Sequence, residues 1–323
     1  MFKKTLVASA LAVAALSAQA SSIVTIDPDG TAAANGSISV AGLDWNAGTV
    51  LVTPTGINVA GGTASTNAAS PNPGDVVQSY AQASLSVFNA NTGAIAVNGL
   101  NVAGTGFEWT FVAGFQEVIS NFAGGVGIGT IQLDTVAGGE NFFRVYAGAV
   151  DSNNLAGTGY NNGKLILSGS VLAYNPTTGS GRTTFTTTGD NSNALDKFVS
   201  DNYAGIKTVN GSGSATLDLL VATWDSDYFK GLTTDTIMSL TFDTQVGTPF
   251  RNSNPSAKVT KADNTLIDAT TLASVGAING VTGPNFVLQS DGTSAFNVPE
   301  PASLALASFA LLGLGASRRR AAK

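Results

Sequence analysis

The central part of this chain predicts an all-β fold: an antiparallel, β-sandwich-like domain with one short helix. Two observations carry that expectation. Apolar and polar residues alternate with period two along many short segments, so every second side chain faces a core. Asn-Gly and Asp-Gly dipeptides recur between those segments, at Asp29-Gly30, Asn35-Gly36, Asn98-Gly99, Asn162-Gly163 and Asn210-Gly211, where glycine supplies the backbone freedom of a tight turn. Many strands at short spacing, with few helical patterns among them, point to a sandwich or a related antiparallel architecture.

The 323 residues divide into three parts. Residues 1–20 have the layout of a secretory signal peptide: Lys3 and Lys4 form a positive start, residues 6–16 an apolar run, and Ala18 and Ala20 the small side chains that signal peptidase reads. The mature chain then begins at Ser21. Residues 21–297 form the secreted β-rich domain, and residues 298–323 a C-terminal tail. Within the domain, strands are expected at 37–43, 49–53, 79–88, 108–112, 129–134, 142–146, 164–174, 215–223, 237–242 and 285–289. In 79–88, Leu85 and Val87 face one way and Ser84 and Ser86 the other. Gly169 marks a bulge within 164–174. In 193–202, Leu195, Phe198 and Val199 fall at helical spacing behind Asn193 as N-cap, with Gly205 beyond the end. This is the one short helix, placed over an edge or one end of the sheet. Residues 61–75, rich in Gly, Ser, Asn and Pro, read as a surface loop or a linker.

Charge and missing residue types bound the function. Six of the 15 basic residues and one of the 21 acidic ones lie in the two terminal parts, so the domain carries 9 against 20, a formal charge of −11. Nucleic acid and anionic lipid both demand Lys/Arg clusters, so neither is expected as a partner. The chain has no cysteine and no histidine. Disulfides, Ser-His-Asp and Cys-His nucleophiles, and zinc, copper or haem held by those side chains are all excluded. Carboxylates, Ser/Thr, Tyr and Lys remain.

Three places invite chemistry. A glycosidase needs two carboxylates facing one cleft, and Glu108, between Phe107 and Trp109, sits where burial raises a pKa and an indole stacks on sugar. The alternative is a strand with Phe107, Trp109 and Phe111 on one face and Glu108 exposed on the other. Asp225 and Asp227, in Trp224-Asp225-Ser226-Asp227-Tyr228, are candidate calcium ligands, since calcium takes oxygen donors alone. Asp27 and Asp29 form a second such pair, although Asp-rich turns are commonly turns and nothing more. The glycine-rich run 124–129 lacks the lysine and helix of a phosphate cradle and reads as a hairpin turn.

The tail is the most specific signal. Pro299, Glu300 and Pro301 form an extended triplet, since two prolines resist helix. Residues 302–317 are apolar and, as a single membrane-spanning helix, cover ~24 Å at ~1.5 Å per residue, slightly short of a ~30 Å hydrocarbon core. Arg318, Arg319 and Arg320 hold the far end on the cytoplasmic side. These three parts in this order resemble the PEP-CTERM signal, the substrate signal of exosortases. The resemblance implies export, transient retention in the inner membrane by the tail, and a cut near the triplet by a membrane-embedded cysteine protease. It also implies frequent production alongside exopolysaccharide, with the protein ending on the cell surface or in the extracellular matrix.

A second resemblance lies upstream. Leu43-Asp44-Trp45 followed by Gly48, together with Phe286-Val287-Leu288-Gln289-Ser290-Asp291 leading through Ser294-Ala295-Phe296, is similar to the flocculation-associated PEP-CTERM proteins. These are implied to retain exopolysaccharide and join cells into flocs. In this chain Leu288 stands before Gln289 where an aromatic is expected. The residues themselves describe a last strand, a turn at Asp291-Gly292 and a short stalk. The resulting expectation is a non-enzymatic, exported protein that meets signal peptidase and exosortase during processing and exopolysaccharide afterwards. A carbohydrate-active hydrolase with a carboxylate pair and a self-assembling structural surface protein are the alternatives. Replacing Glu300 by Ala is expected to leave the tail uncut. Intact mass of the protein from wild-type and variant cells checks this, and a tail retained in both would reduce the segment to an ordinary anchor.

Overall fold

A computed structural model describes residues 23–31, 36–58, 72–125, 128–188, 193–243, 248–271, 274–275 and 284–297. The signal peptide, most of the 61–75 segment and the tail from 298 onward lie outside these, as does the expected membrane-spanning helix. Among the described residues no helix is long and apolar enough to cross a membrane.

The strands are, in order, β1 (Val24–Ile26), β2 (Ile38–Val40), β3 (Gly42–Asn58), β4 (Asp75–Ala90), β5 (Gly93–Ile95) and β6 (Phe107–Gly125). Next come β7 (Ile128–Thr135), β8 (Phe142–Ala149), β9 (Lys164–Val171), β10 (Arg182–Thr187), β11 (Asn193–Ala194) and β12 (Lys207–Thr208). The last six are β13 (Gly211–Trp224), β14 (Phe229–Lys230), β15 (Ile237–Asp243), β16 (Lys258–Thr260), β17 (Leu266–Asp268) and β18 (Phe286–Asn297).

The antiparallel all-β expectation holds, and the main sheet closes on itself. Hydrogen bonding runs β4–β6–β8–β9–β13–β15–β18–β3 and returns to β4, every pair antiparallel. The long strand β6 forks: Phe107–Gly114 pairs with β8, while the stretch from Glu117 onward pairs with β7. β7 then joins β10, and β10 rejoins β13. The interior is filled in the manner of a sandwich. Phe111 of β6 stacks 5.6 Å from Phe143 of β8, meets Trp45 of β3 at 4.9 Å, and reaches across to Phe242 of β15 at 6.2 Å. Strand alternation supplies this core: Ala215, Leu217, Leu219 and Val221 of β13, and Met238, Leu240 and Phe242 of β15, all point inward.

One wall is buried on both faces. The outward side chains Leu51, Tyr80, Val112, Phe142, Tyr146 and Val287 pack beneath a cover built from the long connections, which brings Tyr160, Leu195, Ile206, Phe250 and Val259 down onto them. Among its described residues the cover is irregular apart from the pairs β11–β12 and β16–β17, so its backbone needs partners elsewhere. Strand side chains supply them. Gln289 Oε1 accepts the N–H groups of Arg251, Asn252 and Ser253 at 3.1, 2.7 and 3.1 Å. Gln82 accepts from Thr260 N–H and donates to Lys258 carbonyl, Gln78 does the same with both backbone groups of Glu140, and Thr49 Oγ1 accepts from Ser256 N–H.

Three local expectations are corrected. Residues 193–202 are not a helix: Asn193–Ala194 pairs with Lys207–Thr208, and Leu195 and Lys197 exchange backbone bonds with Phe250. The Asp196 carboxylate bends the chain by accepting Phe198 and Asn202 N–H. Of the three residues at helical spacing, Leu195 is buried and Val199 is 92% exposed. The segment does cover the sheet, as coil. Asp291-Gly292 is not a turn: both residues pair in register with β15, the extra residue of the bulge there lies on β3 between Trp45 and Gly48, and the strand continues to Asn297, the last described residue. Finally, Arg182–Thr187 is a strand that its polar sequence concealed. Gln289→Leu is expected to lower unfolding stability by about 2 kcal/mol, because the buried Ser253 N–H loses its acceptor at roughly 1–3 kcal/mol and the part-buried Arg251 and Asn252 N–H groups lose theirs beside solvent. Urea unfolding of the purified domain measures it.

Candidate functional site

Glu108 lies on the outward face of β6, with Trp109 and Phe111 inward as the alternation requires, yet it is 3% exposed. The expectation of an exposed glutamate is corrected by the loop after β8, which folds over it. Its Oε1 accepts the N–H groups of Asp151 and Ser152 at 2.9 and 2.7 Å, and Oε2 accepts the Ser152 hydroxyl at 2.7 Å. The carboxylate is an anchor for that loop. Trp109 itself donates Nε1–H to the Pro28 carbonyl inside the core.

Asp225 and Asp227 close the turn between β13 and β14. Asp225 Oδ1 accepts Asp227 N–H at 2.8 Å, and Lys164 Nζ lies 2.6 Å from Asp225 Oδ2 and 3.8 Å from Asp227 Oδ2. The lysine hydrogen bond is the main reason the Asp225 carboxyl is held below the usual range. A cation already occupies this position. Asp27 and Asp29 likewise serve a turn, accepting from Gly30 N–H and from Thr31 N–H and Oγ1–H. Among the described residues no group of three or more acidic side chains is arranged to hold a metal ion. At the 124–129 run the ends of β6 and β7 pair, Gly124 with Gly129 and Gly125 with Ile128, while residues 126–127 lie outside the described residues. No Phe, Tyr or Trp among the described residues is exposed, so sugar stacking on open aromatic faces has no platform there.

Two features were not singled out from sequence. The first is Glu117, which points inward from β6 and is 2% exposed. It borders a cavity of about 90 Å³ walled by Val77, Phe115, Ile131, Leu133, Phe286 and Leu288. Ser79 Oγ–H and Thr183 Oγ1–H donate to its two oxygens at 2.7 and 2.6 Å. Burial pushes this carboxyl up to about 7; the two hydroxyl bonds pull it down, and Asp134 nearby pushes it up.

The second is the wall of the sheet opposite the cover. The outward residues of six adjacent strands form continuous rungs. One rung runs Asp134, Arg182, Thr216, Thr241, Thr293 and Asp44, from β7 through β10, β13, β15 and β18 to β3. The next runs Gln132, Thr184, Ser214, Asp243 and Asp291. Ser214, Thr216, Asp243, Asp291 and Thr293 are exposed. At ~4.8 Å between strands, the array spans ~24 Å of hydroxyl, amide and carboxyl groups. Arg182 and Asp134 pair through two hydrogen bonds of 2.6 and 2.8 Å at one side. At the other, Asp44 and Asp291 both have raised pKa values, through partial burial first and then through repulsion from Asp291 and Asp243 respectively. The face can donate and accept hydrogen bonds over an extended middle of Ser and Thr hydroxyls, with the carboxylates of Asp243 and Asp291 set among them.

This wall joins the two segments that sequence singled out. Thr293 lies opposite Asp44, Gly292 opposite Trp45 and Ser290 opposite Gly48, with a bulge at the crossing. Trp45 turns inward and donates to Ser294 Oγ at 2.8 Å, while Gly48 approaches β4 so closely that a Cβ would collide with the Gln82 carbonyl oxygen.

Residues 297–320 match the family model described as the PEP-CTERM protein-sorting motif. No curated protein and no solved structure matches the chain. The chain thus carries the sorting motif of exosortase substrates. It is a protein for export, held at the membrane by its tail on the way to the cell surface.

Glu117 gives a pH signature. Its folded pKa, about 7, exceeds the ordinary 4.5, so the folded state holds a proton that the unfolded chain releases first. That contribution is complete below pH 4.5 and is lost as pH rises through 7. Relative to Glu117→Gln, wild-type unfolding stability is expected to fall by about 3 kcal/mol between pH 4.5 and 8, at 1.36 kcal/mol per pKa unit. Parallel pH series of urea unfolding check it.

Proposed function

We propose that the mature protein is a non-enzymatic component of the cell surface or matrix that associates with exopolysaccharide in floc or biofilm formation. The carrying observation is a bare, ordered wall of Ser, Thr, Asn/Gln-type and Asp hydrogen-bonding groups on a domain that ends in the sorting motif. Polysaccharide hydroxyls match such an array without needing net charge or aromatic faces. The likeness to flocculation-associated proteins, in the paired segments around Trp45 and Gln289, is in keeping with this reading.

A binding role is favoured over hydrolysis by the fate of the three glutamates. Glu108 anchors a loop, Glu117 lies in the core, and Glu140 accepts Ala262 N–H while its other oxygen lies 3.4 Å from Lys261 Nζ. Sugar binding is favoured over strand-to-strand self-assembly because the closed ring leaves its eight strands without long free edges.

The test is co-sedimentation of the processed protein with exopolysaccharide from its own host, comparing wild type with Thr184→Val/Thr216→Val/Thr241→Val/Thr293→Val. Valine keeps the shape and removes the hydroxyl. Four lost hydrogen bonds at roughly 0.5–1.5 kcal/mol each predict about tenfold or greater weakening, with no release of reducing ends in the same mixtures. Equal binding by both proteins would exclude the wall as the contact. Sedimentation of wild type without sugar would replace this reading with self-assembly.

A further inference from the structure

We infer that one pole of the closed sheet, the end where β18 and β1 meet solvent, is a surface that lies against the lipid headgroups while the precursor is tethered. The argument begins with the junction between domain and tail. β18 stays paired to its last residue, with Asn297 opposite Ile237 and Phe296 opposite Met238. The Phe296 side chain is 1% exposed and packs 6.2 Å from Phe229. Folded structure therefore reaches the first residue of the sorting motif.

Four residues, 298–301, separate Asn297 from the apolar run that begins at Ala302. Fully extended, the five steps from Asn297 to Ala302 span at most ~18 Å. The interfacial layer takes up roughly 5–8 Å of that on one side of a bilayer. The pole consequently sits within about 10–13 Å of the headgroups, and any bend in the spacer brings it closer.

The other end of the domain emerges at the same place. Val24 pairs with Val40, Gly42 pairs with Ala295, and Phe296 N–H donates to the Ala41 carbonyl. Two strand spacings and two residues of chain thus separate the start of β1 from the end of β18, about 20 Å at most. A chain held by its N-terminal segment and a chain held by its tail present the same pole to the membrane. The turn between β14 and β15 shares this pole: Thr234 and Asp235 form its exposed tip beside Ile237. β18 has 12 residues, ~40 Å of strand, or about 30 Å of height once tilted. Thr188, exposed just past β10 and near the start of β13, lies at the far pole.

The surface chemistry of the near pole makes this apposition depend on the tail. Asp227 and Asp235 are exposed there with Lys164 and Lys230, and the half-buried Asp29 and Asp225 add an acidic excess that anionic lipid repels. Proximity is imposed by the short spacer, and a cut within it lets the domain leave.

The inference rests on the tail acting as a membrane anchor, and the experiment separates the two. The absence of cysteine allows single labels, so Thr234→Cys and Thr188→Cys full-length precursors are each labelled with a fluorophore. They are reconstituted in vesicles of phosphatidylethanolamine and phosphatidylglycerol carrying a headgroup spin-label quencher. The expected result is flotation of both with the vesicles, strong loss of fluorescence at 234 and none at 188. Inserting a twenty-residue Gly/Ser spacer after Asn297 is expected to abolish the loss at 234. Flotation with equal signals at both sites overturns the orientation alone. Failure to float overturns the anchor, and the orientation with it. Quenching at 234 that survives the spacer shows intrinsic lipid affinity and overturns the short-tether account. Unchanged thermal unfolding of each labelled protein shows that the labels leave the fold intact.

Discussion

The hydrogen bonds from strand side chains to the backbone of the cover are the constraint on which the rest of this structure depends. A sheet wall that is apolar on both faces must be covered, and here the cover is mostly coil whose N–H and C=O groups have few strand partners. Gln289, Gln82, Gln78, Thr49 and Glu108 satisfy that backbone from below. Each unsatisfied buried group costs roughly 1–3 kcal/mol, so a few such anchors are comparable with the whole stability of a domain. Replacing them with larger hydrophobes would fill space and leave the loops unpaired.

This arrangement divides the molecule into two unlike walls. Where the loops lie, polar side chains are inward-looking structural groups. Where they do not, the outward positions of β7, β10, β13, β15 and β18 are free to be Ser, Thr and Asp. Both walls share one interior, in which Trp45, Phe111 and Phe242 span from side to side. The polar wall is thereby held in register by a core that its own inward side chains, among them Leu217 of β13 and Leu240 and Phe242 of β15, help to build.

The place of β18 couples the fold to sorting. The last strand is not appended at an edge; it sits between β15 and β3 and closes the ring. Trp45 bonds to Ser294 across 249 residues of sequence, so closure is a long-range event and must wait until nearly the whole domain has left the ribosome and the membrane. The tail follows at once. Completion of the fold and presentation of the sorting motif thus occur at the same point in the chain, with the folded pole already beside the bilayer.

The sequence by itself determined the tripartite tail, the β class, a turn such as Asn98-Gly99, the acidic character and the absence of histidine and cysteine side chains. These are local or compositional, and period-two alternation needs no knowledge of a partner. Tertiary structure decided the rest. Leu195, Phe198 and Val199 have helical spacing, but Phe250 and Asp196 claim the backbone. Glu108 alternates correctly to the outside and is nonetheless buried, because residues 151–152 fold over it. Gln78 and Gln82, four apart on one strand face, are legible as a pair, yet only the approach of residues 140 and 258–260 shows what they hold. Arg182–Thr187 is a strand through its neighbours β7 and β13, and the hydroxyl rungs exist only once strands remote in sequence are in register. Asp196 apart, the deciding partner in each case lies tens to hundreds of residues away, where local pattern carries no information.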